Sequence, residues 1–370
     1  MLSRLDETLL HQTPEPFGRV GTSDHRFFDR TWFGCYDRDG RAGLITGIGA
    51  YPNMNVLDGF AAVQLEGRQY NLRLSRPLRP RLDEIAVGPL HHEVIEPLQT
   101  LRLVLEPGPQ PASFDLTWTG VLPAHQERRH AGVLDGRQFE DYTRFDQAGV
   151  VNGWIQVDDR RLEAQDWFGA RDHSWGVRRS VGGFEPFTGS LPPELPGVLF
   201  VWLEFATASL GGHVQFSESS TGDRSGLEGF IAWPEPAGRP DLAVVAAEHD
   251  IEFHPGTRAY RRARLCLTTA DGAKWELEAE PLLTAWAYRG TGYDGGYHDG
   301  QGLGVFRGEA LEHDVYDVSH PEDVGLPDGT TIRPLHREQG VRLTVNGEPG
   351  FGHFPIMAIG RIDRYGLGAL

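Results

Sequence analysis

Apolar and polar residues alternate along many short segments of this chain, and turn-forming dipeptides separate these segments. In the clearest example, Asp271 and Gly272 join residues 263–267 to residues 274–278. Asp-Gly between two alternating segments is the strongest short-range signal for a β-hairpin. The same pattern recurs around three further turns, at residues 66–67, 158–159 and 346–347. The pattern therefore predicts hairpins in both halves of the chain.

Helical periodicity is weak after the first dozen residues, so the chain is expected to be all-β. Antiparallel meanders of this length close into barrels or pack as sandwiches. A proline-rich stretch over residues 182–196 cannot support a central strand, because proline lacks the N–H that a strand ladder requires. We therefore expect two domains, an N-terminal one over residues 1–185 and a C-terminal one over residues 186–370.

Composition narrows the range of partners and compartments. The 370 residues carry a net charge of −17, with 52 acidic and 35 basic residues. Such a charge is unsuited to neutralising phosphates, so neither nucleic acid nor an anionic membrane surface is an expected partner. The two cysteines, Cys35 and Cys266, are too few for a disulfide framework or a Cys-rich zinc site. With neither a secretory signal nor a membrane-spanning apolar run, the protein is expected to be soluble and cytoplasmic.

The densest group of chemically reactive side chains lies near the midpoint of the chain, at residues 171–175. If this segment is a strand, Arg171, His173 and Trp175 share one face and Asp172 lies on the other. A carboxylic acid or imidazolium beside an indole ring suits the protonation of an alkene and the stabilisation of a cation. The same residues also suit a buried strand whose polar groups satisfy one another. The segment is therefore either a catalytic site or a buried structural strand.

Three other segments carry polar groups of interest. A glycine-rich stretch over residues 290–300 displays Tyr293, Asp294 and His298, which either contact a ligand at a cavity mouth or stabilise a surface loop. Residues 91–93 and 313–314 include metal-ligand types, but adjacent strand residues point to opposite faces, so no metal is expected. Residues 126–130 indicate a solvated turn.

Several of these segments resemble the AttH-like and carotenoid-hydratase-like (hydroxyneurosporene synthase) superfamily. Residues 172–176, Asp-His-Ser-Trp-Gly, are similar to the Asp-His-x-Trp-Gly element of that group, and residues 199–204, 32–36 and 47–53 are similar to other strands of its members. The resemblance implies two tandem lipocalin-like antiparallel β-barrels with a hydrophobic cavity. The hydratases also carry a Tyr-x-Asp pair, whereas this chain has Trp202-x-Glu204, so only Glu204 could supply that acid.

Together with the resemblance, these residues favour a cofactor-independent enzyme acting on an apolar, isoprenoid- or polyketide-like small molecule. The expected reaction is an acid-initiated hydration, dehydration or cyclisation. Asp172 or Glu204 would donate the proton, and His173 would relay the proton or orient the acid. Substrate contacts are expected from Arg171, Trp175, Trp202, Tyr293, Asp294 and His298.

Two alternatives from other classes remain open. The first is a non-catalytic carrier of a lipid or hydrophobic metabolite, in which the polar residues only tie the barrels together. The second is a structural or interaction protein with no cavity large enough for a ligand.

Overall fold

The computed structural model describes residues 2–134, 136–179, 181–182, 196–234, 236, 238–292, 302–334 and 338–369. It is almost entirely β, with short 3₁₀ helices at Arg4–Glu7, Tyr288–Thr291 and Asp363–Tyr365. No helix among these residues is long and apolar enough to cross a membrane. The strands are β1 (Phe27–Tyr36), β2 (Ala42–Tyr51), β3 (Val56–Leu65), β4 (Arg68–Pro77), β5 (Ala86–Val87), β6 (Leu90–Glu96), β7 (Thr100–Leu105), β8 (Ala112–Gly120), β9 (His125–Gln126), β10 (His130–Leu134), β11 (Arg137–Val157), β12 (Arg160–Arg178), β13 (Gly197–Thr207), β14 (Gly211–Ser219), β15 (Arg224–Ala232), β16 (Leu242–Phe253), β17 (Tyr260–Thr269), β18 (Lys274–Pro281), β19 (Glu312–Asp317), β20 (Val324–Gly325), β21 (Thr331–Ile332), β22 (Gly340–Val345), β23 (Glu348–His353) and β24 (Ile356–Gly360).

The four hairpins expected from the alternating pattern are all present. Asp271-Gly272 lies in the turn between β17 and β18, and the other three turns join β3 to β4, β11 to β12, and β22 to β23. The prediction of an all-β protein with two antiparallel barrels is confirmed.

The first sheet contains the strands of the N-terminal half. Its hydrogen-bonded order is β21-β20-β19-β4-β3-β2-β1-β12-β11-β8-β7-β6-β5, and β9 and β10 also pair with β11. Twist curls the sheet until its end strand β5 contacts β3 and β4. The curled sheet encloses a core that includes Phe33, Leu44, Val63, Phe114 and Trp118.

The second sheet closes on itself. Its order is β14-β15-β16-β17-β18-β22-β23-β13, and β13 pairs in turn with β14. Strand β13 pairs with β23 through residues 204–207 and with β24 through residues 197–201. The shortest ladder in this ring joins β15 to β16, which pair only through residues 230–231 and 242–243.

One segment of the C-terminal half joins the first sheet. Strand β19 pairs with β4, and β20 and β21 extend the sheet beyond it. An ion pair of 2.8 Å between Arg73 and Asp314 accompanies this pairing. Strand β12 ends at Arg178 and β13 begins at Gly197, while residues 183–195 of the predicted junction lie outside the described residues. The division at residues 185 and 186 stays a prediction.

Aromatic side chains pack the two barrels together. Along β1, Phe33 belongs to the core of the first barrel, whereas Trp32 and Tyr36 belong to the cluster between the barrels, as the alternation of strand side chains requires. Across the interface, Trp286 lies so close to Gly43 that a Cβ there would collide with the indole ring. The interface cluster also includes Phe60, Phe168, Phe230 and Phe351.

Candidate functional site

A buried ion pair marks the polar part of the barrel interface. Arg144, on β11, places its Nη2 2.6 and 2.8 Å from the two carboxylate oxygens of Glu127. His130 Nε2 lies 2.6 Å from Glu127 Oε2. Burial alone would raise the pKa of Glu127, but the Arg144 guanidinium and the contact with His130 outweigh it and hold the pKa well below the usual value. Glu127 is therefore an ionised carboxylate at neutral pH.

A second carboxyl group lies two residues from Arg144 on the same face of β11. Asp146 is 1% exposed, and its Oδ1 lies 3.4 Å from Arg144 Nε. Its carboxyl group shares a side-chain hydrogen bond with the Glu127 carboxylate. Burial and the negative charge of Glu127 raise the pKa of Asp146 well above its usual value. Asp146 is therefore a protonated acid beside an ionised one.

The second barrel contributes a histidine between two carboxyl groups. His213, on β14, is fully buried, with Nε2 3.5 Å from Glu127 Oε1 and Nδ1 3.5 Å from Glu204 Oε2. Burial lowers the pKa of His213 to about 3, so the imidazole is neutral. Burial, with the charge of Glu127, raises the pKa of Glu204 well above its usual value. Neither ring nitrogen of His213 has a hydrogen-bond partner in the described part of the chain.

Trp202 connects the two barrels at this point. Its indole Nε1 donates a hydrogen bond of 3.3 Å to Glu127 Oε1, and the Arg144 guanidinium lies 5.6 Å from the centre of its ring. His213 and His353 both approach the indole ring edge to face, with centroids 5.0 and 5.3 Å away. We call Glu127, Arg144, Asp146, Trp202, Glu204 and His213 the interface site.

The residues expected from the sequence divide between two places. Glu204 and Trp202 belong to the interface site, and Asp172 lies on the same face of the first sheet as its cross-strand partner Asp146. Burial raises the pKa of Asp172, and Arg144 is the largest charge that opposes this shift.

The other residues singled out near the midpoint lie elsewhere. Arg171, His173 and Trp175 occupy the opposite face of β12, as their spacing predicted. His173 Nε2 lies 2.7 Å from Asp29 Oδ1 at the partly exposed end of the first barrel, and Trp175 is 39% exposed. Tyr293, Asp294 and His298 lie outside the described residues.

The residues that the first barrel contributes to the interface site were not among those predicted from the sequence. The expectation of a solvated turn at residues 126–130 is wrong for Glu127, which is only 1% exposed because Arg144, His130 and Trp202 surround its carboxylate. A usable signal existed in β11, where Arg144 and Asp146 stand two apart in a strand with many apolar neighbours. Charged residues at this spacing share one face, and two buried charges on one face indicate a polar site.

Three of these groups have the donor types of a metal site. The ligand atoms of Glu127, Asp146 and His213 all lie within 4.8 Å of one another. However, the Arg144 guanidinium already contacts both Glu127 oxygens and approaches Asp146. Because this guanidinium occupies the position beside the carboxylates, it takes the place of a metal cation. This donor set does not fit a metal ion in its present arrangement, and we assign none.

Comparison with known proteins places the chain in a family. The chain belongs to a family of unknown function, DUF8625, whose model matches residues 2–368. No curated protein matches the sequence. Among solved structures, the chain is similar to the crystal structure of kievitone hydratase from Nectria haematococca, with a TM-score of 0.48 and 10% sequence identity. That alignment covers 92% of this chain and 93% of the other.

Proposed function

We propose that the protein is a cofactor-independent enzyme that transfers a proton to a small, mostly apolar molecule at the interface site, in a hydration, dehydration or cyclisation. The observation that carries this proposal is the position of His213, 3.5 Å from both Glu127 and Glu204. Burial keeps Glu204 protonated while Arg144 keeps Glu127 ionised. Pairs of carboxyl groups with opposed pKa shifts are how enzymes separate an acid from a base at one pH.

In the hydration direction, the Glu204 carboxyl group gives its proton to one alkene carbon, leaving a Glu204 carboxylate and a cation on the other carbon. The aromatic face of Trp202 stabilises that cation. Water then forms a C–O bond and releases a proton to Glu127. His213 passes this proton back to Glu204, which restores the starting state, so that alkene and water have become an alcohol. Dehydration is the reverse sequence.

Asp146 and Asp172 are the other candidate proton donors. Burial raises the pKa of both groups, and both side chains lie on the interface face of the first sheet. His173, on the opposite face of β12, takes no part in this scheme. The solvent-accessible edge of the interface site is formed by His130 and Arg144, whose side chains are 24% and 14% exposed.

The first test begins with the natural ligand. Small molecules retained by the full-length protein from its own host are extracted, identified by mass spectrometry and incubated with the protein in D₂O. In hydration or cyclisation, protonation of the alkene by a protein acid places one deuteron on carbon, whereas dehydration releases the hydroxyl oxygen as water and a proton from carbon. Glu204→Gln, which matches the shape of the protonated acid, is expected to lower turnover about 100-fold or more. Glu276→Gln, on exposed β18, is the matched control and is expected to retain full turnover.

Two results would contradict this assignment. One is turnover by Glu204→Gln within about twofold of the wild type, since general acid catalysis contributes a larger factor. The other is a hydration or cyclisation product without deuterium on carbon. Asp146→Asn and Asp172→Asn, measured in the same way, identify which carboxyl group donates if Glu204 does not.

A separate observation favours a second candidate function, the carriage of a ligand without chemistry. A cavity of about 580 Å³ lies at one end of the second barrel, a size typical of small-molecule sites. Its apolar wall includes Ile251, Tyr260 and Ile356, and Arg258 and Glu322 lie at its polar side. A carrier is expected to lose its ligand in Ile356→Trp and to keep it in Glu204→Gln. An enzyme using the interface site is expected to lose turnover in Glu204→Gln.

A further inference from the structure

Arg171 is a buried cation inside the first barrel. Its side chain is on β12, and the residue is 4% exposed. The guanidinium donates from Nε and Nη2 to Gln147 Oε1, at 3.0 and 2.6 Å. An arginine has five N–H donors, so three of them have no acceptor among the described residues. These remaining N–H groups are available to donate to a bound oxyanion.

The charge of Arg171 is also uncompensated. No carboxylate in the described part of the chain forms an ion pair with it, and burial lowers its pKa to about 10, so the group stays protonated at neutral pH. The rings of Trp118 and Phe145 lie 4.7 and 5.1 Å from the guanidinium. Cation–π contacts of this kind offset about 2 kcal/mol at most, whereas the burial of a charge costs several.

Gln147 holds the guanidinium in one orientation. Its side-chain Nε2 donates to the carbonyl oxygens of Leu98 and Leu122, at 2.9 and 2.7 Å. Since both amide hydrogens are used, Oε1 is the atom left for Arg171. An arginine positioned in this way binds a planar oxyanion without losing much side-chain freedom.

An aromatic surface continues from this arginine towards solvent. Phe145 lies 5.3 Å from the His173 ring and 6.4 Å from the Trp175 ring, and His173 and Trp175 are 5.5 Å apart. Trp175 is one of the exposed large apolar side chains. A flat apolar group could therefore cover Phe145 and Trp175 while a charged end reaches Arg171.

We propose that Arg171 binds the carboxylate of a small aromatic or apolar molecule whose body lies against Phe145 and Trp175. This carboxylate site is distinct from the interface site, because Arg171 and Asp172 point to opposite faces of β12. It does not rest on the proposed function. The carboxylate supplies the ion-pair partner that Arg171 lacks among the described residues and accepts two of its three remaining N–H groups as a bidentate pair.

The test uses two ligands of nearly the same shape. Naphthalene-2-carboxylate and the neutral naphthalene-2-carboxamide are titrated calorimetrically into the full-length protein. Arg171→Met is expected to weaken carboxylate binding about tenfold or more, because it removes a charged hydrogen-bonded pair. Binding of the carboxamide is expected to change less than about twofold. Arg161→Met is the matched control, because Arg161 also lies on β12 and over an indole ring, that of Trp154 at 4.3 Å. It is expected to leave both affinities unchanged.

A second measurement does not depend on the folding of Arg171→Met. The Arg171 Nε–H resonance of the wild type, assigned with Arg171→Lys, is expected to shift with the carboxylate and not with the carboxamide. The proposal is overturned if this resonance does not move, if the carboxylate fails to bind at up to about 10 mM, or if Arg171→Met binds it with wild-type affinity. Loss of turnover in Glu204→Gln bears on the interface site alone.

Discussion

Tyr36 and His353 are separated by 317 residues in sequence, yet the Tyr36 hydroxyl lies 2.6 Å from His353 Nδ1, across the two barrels. The other ring nitrogen of His353 lies 2.5 Å from Glu338 Oε2, and all three side chains are buried. Gly340 allows this arrangement, since a Cβ there would collide with the Tyr36 ring. This polar chain fixes how the barrels are positioned, because a slip at the interface would leave buried polar groups unpaired.

Removal of the Tyr36 hydroxyl is expected to destabilise the protein. Tyr36→Phe keeps the ring but leaves His353 Nδ1 without its partner, so the free energy of unfolding should fall by about 1–3 kcal/mol. Urea unfolding followed by tryptophan fluorescence measures the change. Tyr70→Phe, in a half-buried position on β4, is the control and should change the free energy by less than about 0.5 kcal/mol. Equal effects of the two substitutions would show that the interface hydrogen bond contributes nothing specific.

The stability of the protein should depend on pH through Glu204. Burial raises its folded pKa above the usual 4.5; the charges that face it are Glu127 and Arg144, with neutral His213 alongside. Above pH 4.5 the unfolded chain loses this proton while the folded protein keeps it, so this group lowers stability as pH rises towards the folded pKa.

Glu204→Gln removes that dependence. The free energy of unfolding of Glu204→Gln minus that of the wild type is therefore expected to increase with pH above about 4.5. The increase is up to about 1.4 kcal/mol per pH unit. Urea unfolding at a series of pH values from 5 to 8, with Glu276→Gln as control, measures the difference. A difference that is constant over this range would mean that Glu204 is ionised in the folded protein.

Tyr365 is expected to anchor the C-terminal segment to the second barrel. Its hydroxyl lies 2.7 Å from His249 Nδ1 and accepts a 3.1 Å hydrogen bond from the backbone N–H of Ile251. Tyr365→Phe removes both contacts, so the Ile251 amide should exchange with solvent about tenfold faster or more, since the loss of a buried hydrogen bond costs about 1 kcal/mol or more. Hydrogen exchange read by NMR tests this, and amides of β2 in the first barrel serve as the internal reference. Unchanged exchange at Ile251 would rule out the anchoring role.

The two cysteines should differ in reactivity. Cys35 is fully buried in the first barrel, and burial raises the pKa of its thiol, which disfavours the reactive thiolate. Cys266, on β17, is only partly buried. In the folded protein a disulfide reagent such as DTNB should therefore react with Cys266 first and reach Cys35 only upon unfolding. Cys266→Ser is expected to abolish the fast reaction, and a fast phase remaining in that variant would contradict the burial of Cys35.

Part of the site could be predicted from the sequence because strand alternation is a local property. The segment at residues 171–175 is a strand, and its spacing correctly separated Arg171, His173 and Trp175 from Asp172. Glu204 and Trp202 were named from a resemblance and lie in the interface site. The partners of Glu204 were not predictable in this way, since His213 lies on the next strand and Glu127 on the other barrel.

The sequence by itself determined the all-β class, the four hairpin turns and which side chains of a strand share a face. These follow from the period of two in a strand and from turn residues close together in the chain. Only the tertiary structure decided that Glu127 is buried and that Arg144 keeps it ionised. Only the tertiary structure, likewise, brought the Tyr36 hydroxyl within hydrogen-bond distance of His353. These outcomes depend on which outer faces of the two barrels pack together. Contacts between residues far apart in sequence determine that packing, and a local sequence pattern does not predict such contacts.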